Sequence, residues 1–378
     1  MPADIAPFYV MEMIRAAEQR SAAGGDVLHL EVGQPSTGAP AAVLAAAETA
    51  LRSDPLGYTE AKGVAPLRRR LAAHYAERYG PTIDPERIIT TPGSSGAFVL
   101  AFLAAFDPGA RVAVSEPGYP CYRNTLLALG RTPVAVPVGP ETGYNLTPEL
   151  LDAAGPLDGV IVASPANPTG TIVDRPELER LVEWCRRHRV RLLSDEIYHG
   201  LSYGKHTASL TELEPDAVVI NSFSKYWSMT GWRLGWLVLP DDLVGPVERL
   251  AQNLVICPSA LAQRVATAAF EAEEELQGHV QRYRANRQVV LEGLAEAGID
   301  RVAPADGAFY VYAEIGHLTD NSLDLCRRWL ADIGVAATPG IDFDPVRGRR
   351  TVRFSFAGGT ADMAEAMGRL ANWTATFG

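Results

Sequence analysis

The feature that most constrains the fold is an alternation of short apolar strands with helices across residues 87–239. Six segments have the composition of buried strands, at residues 87–91, 111–115, 159–164, 190–196, 217–222 and 234–239. Helical patterns occupy residues 94–106, 119–130 and 175–188 between them. Strands that are apolar along nearly their whole length are buried on both faces, as in parallel sheets covered by helices. The sequence therefore predicts an α/β fold with a mostly parallel central sheet flanked by helices.

The pattern changes after residue 239, where a long helical region extends to residue 298. It leads to strand patterns at residues 308–315 and 351–357 that are mixed with helical patterns at residues 322–334 and 361–373. Such a mixture is typical of a smaller α+β domain. The first forty or so residues have no strand–helix alternation of their own. We predict a large domain of residues 43–275 and a small domain formed by residues 1–42 and 276–378.

Charge and composition exclude several classes of function. The net charge of −11 argues against a nucleic-acid partner, whose binding surface would be basic, and against attraction to anionic lipid. The N-terminal segment lacks the basic region and apolar core of a signal peptide, and no run approaches the roughly 20 apolar residues that span a bilayer. We therefore expect a cytoplasmic protein without a membrane partner. No metal site is predicted, because the cysteines are far apart, at Cys121, Cys185, Cys257 and Cys326.

Three of the predicted strands are followed by residues that suit a ligand site. Ligands bind at the carboxyl ends of strands in sheets of this kind. Ser94 and Ser95 follow the first strand and open a helix whose free N–H groups favour an anion, although serine is also a common helix cap. Tyr119 follows the second strand, where its ring either covers a planar ligand or packs in the core. Asn167 follows the third, where its amide either binds a ligand oxygen or closes a turn.

The next two strand ends carry charged groups. Asp195 ends the fourth strand and Tyr198 follows it, so that the carboxylate serves either a ligand cation or a structural ion pair. Lys225 follows the fifth strand and is one of only three lysines among 34 basic residues. A lysine in a desolvated pocket near another cation has a lowered pKa and becomes a nucleophilic amine, which arginine cannot do. The hydroxyls and the guanidinium that would bind a phosphate beside it are those of Ser222, Ser224 and Arg233.

An anion cup, a ring, an amide, a carboxylate and an amine together suit one small molecule, pyridoxal 5'-phosphate. The segments SPANPTG, SDEIY and SFSKYWSMTGWRLGW, in that order and spacing, resemble the class I/II aminotransferases of pyridoxal-phosphate fold type I, over essentially the whole chain. The resemblance implies that Lys225 forms the Schiff base with the cofactor and that Asp195 pairs with its pyridine N–H. It implies further cofactor contacts for Ser94, Ser95, Tyr119, Asn167, Tyr198, Ser222, Ser224 and Arg233.

The resemblance also extends outside the central sheet. VRFSFA is similar to the family's element for the substrate carboxylate, which implies that Arg353 binds that group, with Asn167 beside it. Gly33 matches a glycine that lines the substrate pocket. LGYTEAKG is similar to the segment whose tyrosine, here Tyr58, reaches the phosphate in the partner subunit's site, which implies a homodimer with shared active sites. The chain departs from the common family pattern at GQP, residues 33–35, and at residues 343–344, both on the substrate side.

The resemblance implies an aminotransferase that moves an amino group between an L-amino acid and a 2-oxo acid by a ping-pong mechanism. Two alternatives share nearly all of these residues: a β-elimination carbon–sulfur lyase and an enzyme similar to aminocyclopropane-carboxylate synthase. A ligand-sensing regulator with the same fold is a third, although no helix-turn-helix segment is evident in the sequence. The identity of the amino acid is not predicted.

Overall fold

The structure, a computed structural model, describes residues 5–377. Within them, the strands are β1 (Leu28–His29), β2 (Ile88–Thr91), β3 (Arg111–Glu116), β4 (Thr132–Pro137), β5 (Gly159–Ala163), β6 (Arg191–Asp195), β7 (Val218–Ser222), β8 (Gly235–Val238), β9 (Tyr310–Glu314), β10 (Val335–Ala336), β11 (Thr338–Pro339) and β12 (Thr351–Ser355). The α-helices are α1 (Tyr9–Ala22), α2 (Ala41–Ser53), α3 (Ala65–Tyr79), α4 (Gly93–Ala105), α5 (Pro120–Ala128), α6 (Pro148–Ala153), α7 (Arg175–His188), α8 (Asp241–Leu254), α9 (Ala260–Val265), α10 (Glu273–Glu296), α11 (Ser322–Ile333) and α12 (Thr360–Thr374).

Seven strands form the central sheet, in the order β2-β8-β7-β6-β5-β3-β4. Neighbouring strands are parallel from β7 to β4, and β8 lies antiparallel between β2 and β7. The predicted α/β fold class is confirmed. Strand β4 was not predicted, because its sequence, TPVAVP, contains two prolines and much of it is exposed. Its place at the edge of the sheet explains both features, since an edge strand tolerates residues without an N–H donor.

Side chains of the central strands alternate between two hydrophobic layers, as the period of a strand requires. Val160 and Leu192 face the layer formed with α2, α3 and α7. Ile161 and Leu193, their neighbours in sequence, face the layer formed with α4, α5 and α8. The sheet is therefore covered on both sides, and its polar residues are confined to the strand ends.

A second region contains the antiparallel sheet β11-β12-β9 and the parallel pair β1-β10. Residues of α1 and of the segment after β1 pack in one core with α10, α11, α12 and β12, through Met13, Leu30, Val290, Trp329 and Phe354. This packing agrees with the expectation that the N-terminal segment joins the C-terminal region. The domain boundaries remain predictions, and the one after residue 275 falls in the first turn of α10. Across residues 5–377, the helices are too short or too polar to cross a membrane.

Candidate active site

A cavity of about 310 Å³ lies at the carboxyl edge of the central sheet, where α1 and the second region meet it. Its lining contains eleven of the residues that the sequence predicted for the site: Gly33, Ser94, Ser95, Tyr119, Asn167, Asp195, Tyr198, Ser224, Lys225, Arg233 and Arg353. Parallel strands place their carboxyl ends at one edge, so residues from distant parts of the chain meet here. Two predicted residues, Ser222 and Tyr58, do not line this cavity.

Lys225 projects into the cavity from the turn after β7, and its ammonium group donates a hydrogen bond to the carbonyl oxygen of Gly33. Its Nζ lies 5.8 Å from the ring centroid of Tyr198 and 5.9 Å from that of Phe309. Removal from water, together with a smaller effect of the Arg353 guanidinium, lowers the pKa of Lys225 to about 7. A large fraction of this amine is therefore unprotonated near neutral pH, as a nucleophile or a general base requires.

Asp195 lies at the end of β6, on the floor of the cavity, and is almost fully buried. Its Oδ1 accepts a hydrogen bond from the backbone N–H of Ile197 at 3.1 Å, and its Oδ2 accepts one from the hydroxyl of Tyr122. Burial raises the pKa of Asp195 to about 6, against the effect of these two donors. The ion pairs found within residues 5–377 do not include Asp195. The Asp195 carboxylate is therefore available to pair with a cationic N–H group of a ligand bound in the cavity.

The N-terminus of α4, a 13-residue helix, forms one wall of the cavity at Ser94 and Ser95, and the first N–H groups of such a helix have no partner within it. Gly93 opens this helix with φ of 71°, and a Cβ there would lie 2.5 Å from Nη2 of Arg233. Only glycine allows the guanidinium to approach this closely. Arg233 has a left-handed backbone, with φ of 52°, and its Nη1 donates to the carbonyl oxygen of Thr230 at 3.0 Å. A left-handed arginine costs about 1–3 kcal/mol, as is typical of functional positions.

Ser222 contributes indirectly. It is fully buried, and its Oγ accepts a hydrogen bond at 3.1 Å from the backbone N–H of Ser224, which does line the cavity. Thr230 holds the same turn, because its Oγ1 donates to the carbonyl oxygen of Ser224 at 2.6 Å. Direct contact between Ser222 and a phosphate remains a prediction, whereas the structure gives Ser222 a role in orienting Ser224.

Arg353 lies on β12 and is 4% exposed. Its Nη1 donates to Oδ1 of Asn167 at 2.9 Å, and its Nη2 donates to the carbonyl oxygen of Glu31 at 2.7 Å. The guanidinium carbon lies 4.3 Å from the ring centroid of Tyr310 and 4.8 Å from that of Phe343. The buried Nε has no hydrogen-bond partner in the described part of the chain. An unused donor on a fixed guanidinium is suited to a carboxylate ligand.

Tyr310 connects the two halves of the site. Its hydroxyl is 2.7 Å from that of Tyr198, and its ring packs against the guanidinium of Arg353. A Cβ on Gly33 would lie 2.2 Å from the Tyr310 hydroxyl oxygen, so this approach requires glycine at position 33.

Sequence reasoning missed several residues that the cavity contains. Tyr122 is three positions after Tyr119 on α5, and helical spacing could have placed both on one face. Tyr310 and Thr230 had no comparable local signal. Most of the residues of the N-terminal segment that line the cavity are apolar, namely Phe8, Val10, Met11, Ile14 and Val32, and Gln34 adds one polar side chain.

The structure does not bring Tyr58 into the cavity of its own subunit. Its side chain is 85% exposed and borders a separate surface depression with Thr59 and Arg264. Its predicted role would therefore require a second subunit.

Comparisons with known proteins agree with this geometry. A family model described as aminotransferase class I and II matches residues 25–370. The chain is 50% identical over 376 residues to a valine–pyruvate aminotransferase of Mycobacterium tuberculosis, covering 98% of this chain and 97% of that protein. A crystal structure of an aminotransferase from Mycobacterium tuberculosis has a TM-score of 0.97 at 50% identity, covering 99% of this chain and 98% of that one.

A more distant solved structure, aspartate aminotransferase from Thermus thermophilus with maleate, has a TM-score of 0.91 at 30% identity and covers 97% of both chains. These relatives favour amino-group transfer over the lyase and synthase alternatives. The chain belongs to the class I and II aminotransferases and is an enzyme that transfers amino groups between amino acids and 2-oxo acids.

Proposed function

We propose that this enzyme uses pyridoxal 5'-phosphate to transfer the amino group of an amino acid with an apolar side chain, such as valine, to a small 2-oxo acid such as pyruvate. The observation that carries the substrate class is the apolar wall of the cavity, formed by Phe8, residues of the first turns of α1 and Val32. The name of the Mycobacterium tuberculosis relative, a valine–pyruvate aminotransferase, supports the same pair of substrates.

The residues present fit this cofactor. The cradle between the N-terminus of α4 and Arg233, which a Cβ at Gly93 would fill, suits a phosphate. Buried Asp195 has a raised pKa and suits a protonated ring nitrogen, which would restore its ionised form. Lys225 lines the same cavity and would form the covalent bond, while Tyr119 would cover the ring.

The charges that line the cavity argue against an acidic substrate. Among the described residues, the cationic side chains in the lining are Lys225, Arg233 and Arg353. Lys225 is assigned to the covalent bond with the cofactor, Arg233 to the phosphate and Arg353 to the α-carboxylate. Beside Phe8 and Ile14, the N-terminal segment offers a second carboxylate only the neutral amide of Gln34, and burying a carboxylate without a cationic partner is strongly unfavourable.

The proposed mechanism assigns a separate task to each residue. When bound, pyridoxal phosphate supplies an aldehyde that accepts the amino group and a ring that withdraws electrons from the substrate α-carbon. Arg353 binds the α-carboxylate and fixes the orientation of the α-carbon. The Lys225 amine, with a pKa of about 7, would remove the proton from the substrate α-carbon in the first half-reaction and would deliver a proton to the α-carbon of the new amino acid in the second. Asp195 would keep the ring nitrogen protonated, and Asn167 and Tyr198 would bind the ring oxygen.

We also propose a homodimer in which Tyr58 completes the partner's site. Exposed apolar side chains near Tyr58 support this interface, at Leu254 and Ile256. The backbone N–H of Thr59 lies 3.5 Å from Sγ of Cys257, so these residues share one surface. Burying such side chains is the usual basis of subunit association. The four unpaired cysteines support a reducing compartment, the cytoplasm.

The cofactor assignment is tested with Lys225→Ala and the matched control Lys205→Ala. Lys205 is partly exposed and forms ion pairs with Asp174 and Asp306, away from the cavity. Borohydride reduction should add the cofactor's mass to wild type and to Lys205→Ala, but not to Lys225→Ala. Labelling of Lys225→Ala would refute the assignment.

The substrate class is tested by following cofactor absorbance in the wild type with single amino acids. Valine should convert the bound cofactor to its amino form faster than aspartate or glutamate does, and pyruvate should restore it. A preference for aspartate would refute the apolar assignment while leaving amino-group transfer intact.

The dimer is tested by mixing inactive Lys225→Ala with Tyr58→Phe under conditions that exchange subunits. In the mixed dimer, the site that retains Lys225 receives an intact Tyr58 from the other subunit. Activity should therefore rise above that of Tyr58→Phe alone. Unchanged activity in a mixture shown to contain mixed dimers would exclude the crossing tyrosine.

A further inference from the structure

The first turn of α1 is capped by a residue from the far end of the chain. The residue before the helix is Phe8, whose side chain offers no hydrogen-bond acceptor, and α1 has no local side-chain cap. Instead, the backbone N–H of Tyr9 donates to Oδ1 of Asp342 at 3.0 Å, and that of Val10 donates to Oδ2 at 3.0 Å. A carboxylate at this position satisfies two free N–H groups and interacts favourably with the helix dipole.

Asp342 is fixed relative to the carboxylate-binding end of the site. It is 2% exposed and lies in the turn after β11, the strand that pairs with β12. The next residue, Phe343, packs against the guanidinium of Arg353. Arg123 adds a hydrogen bond from Nη2 to the carbonyl oxygen of Asp342 at 3.5 Å.

The helix that Asp342 caps forms the apolar wall. Phe8, Val10, Met11 and Ile14 come from its first turns and the residue before it, and all four line the cavity. The ring of Phe8 also meets that of Tyr119 edge to face, at 6.2 Å between centroids. A shift of the first turn would therefore move the surface that faces the substrate side chain.

We propose that Asp342 is the positioning residue for side-chain specificity, because it holds the apolar wall of α1 at a fixed distance from the carboxylate site at Arg353. This inference rests on the proposed preference for apolar amino acids. Asp342 acts through α1 and does not line the cavity itself. Its loss should therefore alter the discrimination between side chains more than the chemistry common to all substrates.

Asp344 offers a matched control in the same segment. It is 1% exposed, like Asp342, but its carboxylate accepts hydrogen bonds from residues 346 and 347 and pairs with Arg347 at 2.7 Å. Asp344→Asn removes a buried negative charge from this segment without touching α1.

The experiment compares holoenzymes of the wild type, Asp342→Asn and Asp344→Asn with valine and alanine as amino donors and a 2-oxo acid other than pyruvate as acceptor, because transfer from alanine to pyruvate gives no net change. The extra carbons of valine reach the wall, and each methylene in such a pocket changes kcat/KM by about 10-fold or more. In Asp342→Asn, the valine-to-alanine ratio of kcat/KM should fall about 10-fold, mainly through the KM for valine. In Asp344→Asn, the ratio should stay within about 2-fold of wild type, whatever happens to the melting temperature.

Tyr9→Pro tests the same contact from the helix side and decides the matter if Asp342→Asn does not fold. Proline is favoured at the first helical position and removes only the N–H that donates to Oδ1. The side chain of Tyr9 does not line the cavity. In Tyr9→Pro, the valine-to-alanine ratio of kcat/KM should also fall, by about 3-fold. An unchanged ratio in both Asp342→Asn and Tyr9→Pro, or an equal fall in Asp344→Asn, would overturn the proposal. A wild type without preference for valine over aspartate would instead refute the proposed substrate class.

Discussion

Replacing Gly33 with alanine should disable the site through a single methyl group. The new Cβ would lie 2.2 Å from the hydroxyl oxygen of Tyr310, whereas ordinary contact begins at 3.4 Å, so the hydroxyl must retreat by about 1 Å. The Tyr310 hydroxyl cannot move alone, because it forms a hydrogen bond of 2.7 Å with the Tyr198 hydroxyl and the Tyr310 ring packs against the guanidinium of Arg353. A misplacement of about 1 Å in an active site lowers activity on the order of 100-fold, or about 2.7 kcal/mol.

The assay is kcat/KM for valine and pyruvate in Gly33→Ala, Tyr310→Phe, the double variant and the control Gly38→Ala. At Gly38, in the same segment, an added Cβ meets no atom within 4 Å, so activity should be unchanged. In the double variant, the clashing oxygen is absent and the nearest ring atom, Cζ, lies 3.2 Å from the new Cβ. The double variant should therefore recover about 10-fold relative to Gly33→Ala, a non-additive result.

Two outcomes would refute this reasoning. Wild-type activity in Gly33→Ala would mean that Tyr310 is free to move. A double variant no more active than Gly33→Ala would mean that the methyl group acts directly on the substrate rather than through the hydroxyl.

Two further predictions follow from buried charged groups. The guanidinium of Arg353 contacts Asn167 and has an unused Nε donor, and Arg353→Lys removes this planar group. Steady-state kinetics should show the KM for amino acids rising about 10- to 100-fold while kcat changes less. Burial raises the pKa of Glu196 from 4.5 to about 7. Between these two pH values, the folded protein therefore holds a proton on Glu196 that the unfolded chain has released. This contribution to the free energy of unfolding is largest below pH 4.5 and is lost as the pH rises through 7. Between pH 5 and 7 the loss is about 2 kcal/mol, and urea titrations should show a decline smaller by that amount in Glu196→Gln; equal declines would contradict the assignment.

The site was largely predictable from sequence where strand topology fixes position. Parallel strands bring their carboxyl ends to one edge, so a residue's place after a strand was enough to bring Ser95, Asn167, Asp195 and Lys225 together. No knowledge of the loops was required. The exception is Ser222, which ends its strand but turns its hydroxyl towards a backbone N–H.

The remaining residues depend on how two regions of the chain dock, and no local pattern records this. Tyr310 lies on a strand of the second region, and its ring reaches the site only because β9 pairs with β12 next to Arg353. Asp342 caps a helix more than 300 residues away in sequence. Strand β4 was missed for another reason, because the residues that suit an edge also remove the apolar signature of a strand.

The distance in sequence between α1 and its partners has a consequence for synthesis. Leu28 pairs with Val335, so the N-terminal segment leaves the ribosome 307 residues before its neighbours. At about 5–20 residues per second, that interval lasts roughly 15 to 60 s. During this time, the apolar face formed by Met13, Ala17 and Leu30 has none of the C-terminal core to cover it. The apolar wall of the cavity is thus synthesised among the first parts of the enzyme, but its packing is completed among the last.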